Sequence, residues 1–541
     1  MKQAYDITPF KSSTHRCNGR HRLLLNGAWL GLINLLCCVT VMAGPADSKE
    51  ISPAVQSKQV AEWQPGDPLT FADGMGTFDA QIRERFQASD NWLDFNSKNN
   101  ARDDAGLLER LRLGLKFKPN DWFTFYAQME DSRTFFDDSN TFKPNVGTFV
   151  ANGQREYITN NDPLALRQAY VQFDKAFDQP LSFKFGRQVL SYGDERLVGG
   201  FDWDNNARVF DAVKTQYKGA DYTVDGFASY VVPHQSDDFD VPDTHDLFGG
   251  VYATTDLVPK MTSDYYVFWR SKDKVTPTTT FTASDNQTEG NVAPDGDYAT
   301  IGTRWKSKPK AFGPWDFGME GAIQAGSIVN PQGFKTTTTI IGGAPINTGR
   351  QDLLAGMAHV EGGYTVADID WTPRFFTSFD YASGDSNPGS GTSNTFQNLY
   401  PTNHPLYGIM DRFSLQNMEQ VTIGVIAKPT DQLTLKLDWH NTWLDSTKDE
   451  WRAANQSAFG PSLAGGVGNG STRYANALKG NPSNYVGSEA DLIATYKVTK
   501  WCTLQAGGGH FFAGAYIRET QPGTQEVDDA NFVYSQVQFD F

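Results

Sequence analysis

Four arginines in two short runs are the residues of this 541-residue chain best suited to bind an anion. Arg83 and Arg85 are two positions apart, and so are Arg110 and Arg112. Residues two apart on a β-strand share a face roughly 6.5–7 Å from each other, and neighbouring strands lie about 4.8 Å apart. On paired strands the two runs would therefore form one compact cationic patch. Arginine suits carboxylate binding because its planar fork donates two parallel hydrogen bonds and stays charged at physiological pH.

Further basic residues alternate with apolar residues along the chain. When the apolar residues are assigned to an outer face, the basic residues fall on an inner face, which we predict to line a pore: Arg83, Arg85, Arg110, Arg112, Lys116, Arg208, Lys214, Arg304, Lys306, Arg374 and Lys436. Inward acids such as Glu130 and Asp438 leave a second interpretation open, in which the charges of a neutral lumen are paired. Arg187 and Glu84 fall on the outer face, so we expect either a β-bulge near Gly186 or positions at a rim.

The elements that position these residues are predicted to be strands, because apolar and polar residues alternate with a period of two. Eighteen such segments lie near 77–88, 108–118, 121–131, 163–174, 181–191, 207–217, 221–232, 246–256, 262–271, 297–306, 314–326, 353–364, 371–382, 415–427, 432–443, 486–497, 501–512 and 530–541. The connections after odd-numbered segments are long and those after even-numbered ones are short, which is typical of long extracellular loops and short periplasmic turns. We therefore predict an all-β fold, a closed transmembrane antiparallel β-barrel of about 18 strands.

The two ends of the chain support an outer-membrane destination. Residues 1–43 combine a basic start, an apolar stretch and the sequence Val41-Met42-Ala43, so we predict a signal peptide cleaved after Ala43; a transmembrane anchor is the alternative. Residues 44–76 are predicted to be a flexible periplasmic leader, and residues 77–541 the barrel. The last strand ends in Phe541, which resembles the signal read by the barrel assembly machinery.

Composition excludes several classes of protein. The formal net charge of −16 argues against a nucleic-acid binder, and the 13% aromatic content argues against disorder. Cys502 alone remains after cleavage, so neither an internal disulfide nor a thiolate metal cage is expected. The remaining histidines lack metal-ligand spacing, and the loop with His234 and His245 is interpreted as solvated and acidic rather than as a divalent-cation site. No catalytic residue, metal or cofactor is predicted, and the protein is not expected to be an enzyme.

Several motifs carry a family resemblance. Phe185-Gly186-Arg187-Gln188, Tyr192-Gly193-Asp194-Glu195-Arg196, Trp203 and Arg208-Val209-Phe210-Asp211 form one block. Tyr381-Ala382-Ser383-Gly384-Asp385, Leu399-Tyr400-Pro401-Thr402-Asn403-His404 and Met410-Asp411 form a second. Gly487-Ser488-Glu489-Ala490-Asp491-Leu492 and Phe511-Phe512-Ala513-Gly514 follow near the end. Together they resemble the alginate export family of outer-membrane porins, with signature residues at Arg187, Asp194, Arg196, Arg208, Asp211, His404 and Asp411. The resemblance implies an eighteen-stranded barrel that passes an acidic exopolysaccharide through a positively charged constriction.

Two functions follow as hypotheses. The first is passive export of an anionic, alginate-like polysaccharide, and the second is uptake of small anionic or neutral solutes. Expected partners are that solute, outer-membrane lipid and lipopolysaccharide, the barrel assembly machinery and periplasmic export components, in a Gram-negative-type bacterium. Because all eight periplasmic turns are predicted to be short, we expect the pore to be plugged by one of the long loops at 132–162, 383–414 and 444–485.

Overall fold

The structure is a computed structural model that describes residues 66–91, 95–96, 104–135, 161–235, 239–272, 296–329, 339–341, 344–346, 350–388, 390–454, 456, 472–521 and 526–541. The predicted signal peptide, most of the predicted leader, and residues 136–160 of the first proposed plug loop lie outside these ranges.

Eighteen long strands form one closed barrel, which confirms the predicted fold class and strand number. They are β1 (Gly76–Asp90), β2 (Asp104–Asn120), β3 (Phe123–Phe135), β4 (Asp162–Phe173), β5 (Leu181–Gln188), β6 (Phe210–Lys218), β7 (Tyr222–Val231), β8 (Asp246–Thr255), β9 (Met261–Lys272), β10 (Gly296–Ser307), β11 (Trp315–Val329), β12 (Arg350–Thr365), β13 (Arg374–Ala382), β14 (Met418–Ala427), β15 (Leu433–Trp443), β16 (Tyr485–Thr499), β17 (Cys502–Ala513) and β18 (Ala530–Asp540). Each pairs antiparallel with the next, and β1 pairs with β18. Closure leaves no exposed sheet edge, as a bilayer requires.

The connections alternate in length as the sequence predicts. The turns after even-numbered strands range from two residues (121–122) to eight (366–373), whereas the loops after odd-numbered strands range from 13 residues (91–103) to 41 (444–484). Four of the long loops matter below and are numbered by their place among the nine: L3 (189–209), L4 (232–245), L7 (383–417) and L8 (444–484).

The outer face of the barrel is apolar. Ile301, Val360 and Ile423 each lie more than half exposed in the middle of a strand, where lipid replaces water. Trp122 and Trp371 are exposed at the short-turn end, in the place of an interfacial aromatic belt. Among the described residues, no helix is both long and apolar enough to span a bilayer.

Several short helices and strands lie outside the eighteen long strands of the barrel. Two short helices, α1 (Thr472–Lys479) and α2 (Ala515–Thr520), lie in the loops at the long-loop end, and Thr392–Ser393 of L7 pairs in parallel with β12. Residues Leu69–Phe71 form a short strand against the start of β1. These residues fall within the segment predicted to be a leader, and three residues are too few to show a periodicity.

One strand assignment needs correction, and the position of one outward-facing charge is explained. Arg208 is predicted on the sixth strand, but β6 begins at Phe210, so Arg208 belongs to L3. Arg187 stays in register opposite Asp211 on β6 with no register shift at Gly186, although Gly186 has φ +117°. The Arg187 guanidinium binds the Asp211 carboxylate at 2.8 and 3.1 Å and the backbone of L4, which places it at the long-loop rim. For Arg187, the rim is therefore the explanation observed.

Candidate functional site

L3 and L7 lie inside the barrel. L3 contacts inward side chains of β1, β2 and β10, and L7 contacts inward side chains of β11 and β16. Since β2 and β10 lie nearly opposite each other in an eighteen-stranded barrel, the loops must cross the lumen. The prediction that 383–414 folds inward agrees with this placement, whereas L3 was not among the loops expected to plug the pore.

The two inner loops are joined through their backbones. Gly199 donates to the Tyr400 carbonyl and Tyr400 to the Leu197 carbonyl, both at 2.8 Å. Glycine is required at 199 because a Cβ there would lie 2.3 Å from the Thr402 hydroxyl. The side chain of Arg208 adds a further link, with hydrogen bonds to the Gly199 and Pro401 carbonyls. L3 and L7 therefore form one inner body.

The four arginines of the sequence analysis do come together, and they bind L3. Arg83 donates to the carbonyls of Asp202 and Asp204 at 2.8 and 2.9 Å, and Arg85 donates to the Trp203 carbonyl at 2.5 Å. All four guanidinium-bearing residues are at most 5% exposed. The four arginines are therefore covered by L3 of the same chain. The alternation of inward and outward residues along a strand cannot predict this contact.

Arg110 and Arg112 bind a carboxylate of that loop. Arg112 contacts Asp202 at 2.7 Å and Glu130 at 2.5 Å, and Arg110 contacts Asp202 at 3.2 Å. Although burial raises the pKa of Asp202, the neighbouring guanidinium groups outweigh it and hold that pKa well below its usual value. The Asp202 side chain remains 55% exposed, so the carboxylate is fixed by the arginines yet open on one side.

A fifth arginine of this cluster was missed. Arg167 lies 3.5 Å from Glu130 and 3.6 Å from Asp202. In the pairing of β3 with β4, Gln128 lies opposite Gln168 and Met129 opposite Leu166, so Arg167 is the extra residue of a β-bulge. A bulge re-aims a side chain, and no residue type marks this one in the sequence. We call Arg83, Arg85, Arg110, Arg112 and Arg167 the arginine cluster.

A second sector of the lumen, along β6–β9, is packed with aromatic residues. Tyr400 of L7 lies 5.1 Å from Phe210 and 4.8 Å from Phe248 between ring centroids, and all three are fully buried. Arg270 lies over the Tyr400 ring and forms an ion pair with Asp246. This apolar core fixes the inner body against β6–β9, while the arginine cluster holds it against β1–β4.

A cavity of about 230 Å³ lies between the inner body and the barrel wall. It is lined by residues of L3, L7 and the strands β10, β11 and β12. Arg304 and Lys306 bind Asp194 there, and these contacts outweigh the effect of burial and lower the pKa of Asp194 to about 2. Arg196 contacts Asp380 at 3.2 Å and Glu320 at 3.5 Å. Cations and carboxylates therefore share the cavity wall.

The other predicted pore residues are mostly paired. Lys214 contacts Asp225 at 2.6 Å, Lys436 contacts Asp438 at 2.5 Å, and Arg374 contacts Asp316 and Glu361 near the short turns. Lys116 is exposed on the same face of β2 as Arg112, nearer the short-turn end. This pattern matches the alternative of charge pairing at these positions. A role of these residues in selecting a solute stays a prediction.

The remaining signature residues lie in the inner body. His404 contacts the Asp411 carboxylate at 2.9 and 3.0 Å through Nδ1, within L7. Its ring stacks on Trp203 of L3. Asp194, Arg196 and Arg208 belong to L3, and Arg187 with Asp211 forms the pair at its base. Most of the sequence motifs therefore build the loop plug and its attachment.

Residues 75–530 match the family model described as alginate export. Solved structures share the fold: OccAB1 of Acinetobacter baumannii has 11% identity over 89% of this chain and 99% of that chain, with a TM-score of 0.50. OccD3 (OpdP) of Pseudomonas aeruginosa has 9% identity over 88% of this chain and 93% of that chain, also with a TM-score of 0.50. At these identities the likeness concerns the fold alone. No curated protein matches the chain.

Proposed function

The chain belongs to the alginate export family of outer-membrane porins, and we propose that it passively exports an anionic, alginate-like polysaccharide through the arginine-lined interior of its barrel. Within this proposal residues 1–43 are the signal peptide, the following segment is a periplasmic leader, and the barrel assembly machinery inserts the barrel among outer-membrane lipid and lipopolysaccharide. Periplasmic export components deliver the polymer. The channel uses no cofactor and performs no catalysis.

The observation that carries this proposal is the binding of Asp202. Two guanidinium groups hold its carboxylate by direct hydrogen bonds, and a third lies 3.6 Å away. A uronate residue presents the same carboxylate to a pore. Within the part of the chain that the structure describes, the five guanidinium groups of the cluster form direct ion pairs with two carboxylates, Asp202 and Glu130. Arg83 and Arg85 donate to backbone carbonyls and to Asn205, and the carboxylates of Asp204 and Asp411 offset part of the charge of Arg85 electrostatically. The five guanidinium groups still outnumber these carboxylates together with Asp202 and Glu130, so an excess of positive charge remains to attract an anion.

Passage of a polymer then requires the inner body to move. An incoming carboxylate competes with Asp202 for the same donors, and charge-assisted hydrogen bonds replace part of the hydration that the polymer loses. Several weak sites in series allow passage, whereas a single tight site would trap the chain. Lys116, exposed between the cluster and the short-turn end, is the first cation of this series on β2.

The mixed-charge cavity favours the second candidate, uptake of a small anionic or neutral solute. Its volume of about 230 Å³ is below the roughly 300–1,000 Å³ of sites for drug-sized ligands. One sugar-sized molecule fits such a space, and a polymer does not. Carboxylates such as Glu320 and Glu361 accept hydrogen bonds from hydroxyl groups, while Arg304 and Lys306 supply cations.

Block of ion current by oligouronates distinguishes the two functions. We expect the purified protein in planar bilayers to be blocked by oligouronates with an affinity that rises with chain length, and to be blocked far less by neutral oligosaccharides of equal length. Arg112→Gln should weaken this block, whereas Lys175→Gln, which changes a pair on an exposed turn, should not. Block that is equal for neutral oligomers would contradict export, and block that does not grow beyond a monomer would favour uptake.

A further inference from the structure

Three potential metal ligands meet at the long-loop end, within electrostatic range of Glu130, which pairs with the arginine cluster. Asp162 is the first residue of β4, and His234 and Asp240 belong to L4. The His234 Nδ1 atom lies 3.1 Å from Asp162 Oδ2 and 3.2 Å from Asp240 Oδ2. One ligand atom from each residue lies within 4.8 Å of those of the other two. The sequence interpretation of L4 as merely solvated is therefore inadequate at this point.

The spacing suits a tetrahedral ion. Zn²⁺ binds nitrogen and carboxylate oxygen at about 2.0–2.2 Å, so two ligands of a tetrahedral site are roughly 3.3–3.5 Å apart. The two observed nitrogen–oxygen distances are only slightly shorter. Small adjustments of the side chains would admit an ion between three ligands, and water would complete the fourth position.

Burial and charge favour a cation at this site. The side chains of Asp162, His234 and Asp240 are all at most 5% exposed. Two buried carboxylates therefore share one imidazole, and burying a charge is costly unless it is paired or bound to a metal. At the rim, the Arg187 guanidinium pairs with the Asp211 carboxylate and binds the backbone carbonyl of Asp240, rather than the Asp240 carboxylate.

Further contacts orient the ligands. The backbone N–H of Gln235 donates to Asp240 Oδ1 at 2.7 Å, which leaves Oδ2 directed at His234. Asp204 of L3 also interacts electrostatically with His234. The site therefore lies where L4, the barrel wall and the inner body meet.

We propose that Asp162, His234 and Asp240 bind one divalent transition-metal ion of the Zn²⁺ type, which fastens L4 to the barrel wall beside the inner body. One imidazole with two carboxylates favours such an ion over Ca²⁺, because Ca²⁺ takes six to eight oxygen ligands. The site does not depend on which solute the channel carries.

The alternative is a protonated His234 that bridges the two carboxylates without any metal. The observed distances fit the protonated bridge directly and fit a bound metal after small adjustments of the side chains, but only one arrangement takes up metal. His245 provides a matched control in the same loop, because it is 55% exposed and, of the residues that the structure describes, pairs with Asp243 alone, at 3.5 Å.

The test uses the full mature protein without a histidine tag, stripped with chelator in detergent and titrated with Zn²⁺ and with Co²⁺. We expect one equivalent of Zn²⁺ per chain, a Co²⁺ absorption spectrum of a four-coordinate nitrogen–oxygen site, and a higher unfolding temperature with metal. His234→Gln and Asp240→Asn should each weaken Zn²⁺ binding at least about tenfold, and His245→Gln should leave it unchanged.

Each outcome decides the proposal. Zn²⁺ affinity that is the same in wild type, His234→Gln and Asp240→Asn overturns it, as does loss of binding in His245→Gln alone. A wild type that binds no Zn²⁺ also overturns it and leaves the protonated bridge. If His234→Gln does not fold, as judged by the heat-dependent mobility of the barrel on gels, the conservative Asp162→Asn and Asp240→Asn variants give the same decision.

Discussion

The indole ring of Trp203 lies against the imidazole ring of His404, with centroids 3.7 Å apart and planes inclined by 9°. Trp203 belongs to L3 and His404 to L7, so this stack joins the two inner loops. The guanidinium carbon of Arg85 lies 3.9 Å from the centroid of the same indole. The side chain of Trp203 therefore connects the barrel wall, L3 and L7.

Replacing Trp203 with alanine should loosen the inner body. The change removes the stack on His404 and the cation–π contact with Arg85, and a cation–π contact contributes about 0.5–2 kcal/mol. We expect a higher single-channel conductance and faster proteolysis within L3. Trp122→Ala is the control, because Trp122 is exposed at the short-turn end. Equal conductance in wild type and Trp203→Ala would show that the stack does not hold the plug closed.

Replacing Asp202 with asparagine should free the arginine cluster for anions. The variant keeps the backbone carbonyls that Arg83 and Arg110 use but removes the carboxylate. We expect a larger anion current and tighter block by oligouronates, since the internal competitor is gone. The stability cost should stay below the roughly 3–5 kcal/mol of a broken buried pair, because Asp202 is half exposed. Asp121→Asn on a short turn is the control; unchanged block would argue against competition.

Changing Arg110 and Arg112 together to glutamate should reverse the local charge. The cluster would lose two cations and gain two anions beside Asp202 and Glu130, so the reversal potential under a salt gradient should shift toward cation preference. The milder pair Arg110→Gln and Arg112→Gln should give a smaller shift in the same direction. A reversal potential that equals that of the wild type in both double variants would remove these arginines from the selectivity mechanism.

The wall could be predicted from the sequence, whereas of the plug only the inward fold of L7 could be. Period-two alternation places Arg110 on the inner face because every strand must turn its apolar residues to lipid. Arg208 was assigned to a strand because alternation continues past the strand's end, and Arg167 was hidden by a bulge. Asp202 carries no periodic signal, since its role depends on a contact between residues 92 positions apart. The family motifs identified some residues of the inner body but not the residues that these contact.

The last prediction concerns pH and the junction of L7 with L8. The backbone N–H of Asp385 donates to the Asp449 carboxylate at 2.8 Å, and both residues are buried. Burial and the nearby charge of Asp449 raise the pKa of Asp385 to about 6, despite a hydrogen bond from the Asn387 N–H. A raised carboxyl pKa means that the ionised form destabilises the folded junction above about pH 6. This cost is relieved as the pH falls from 6 toward the unfolded value of about 3.9.

We therefore expect slower hydrogen exchange in residues 383–388 and longer closed times at pH 5 than at pH 7.5. Asp385→Asn should give the slow exchange at both pH values, and the exposed Asp431→Asn should keep the wild-type dependence. Exchange in Asp385→Asn that still changes with pH as in the wild type, after correction for the intrinsic rate, would assign the effect to another group.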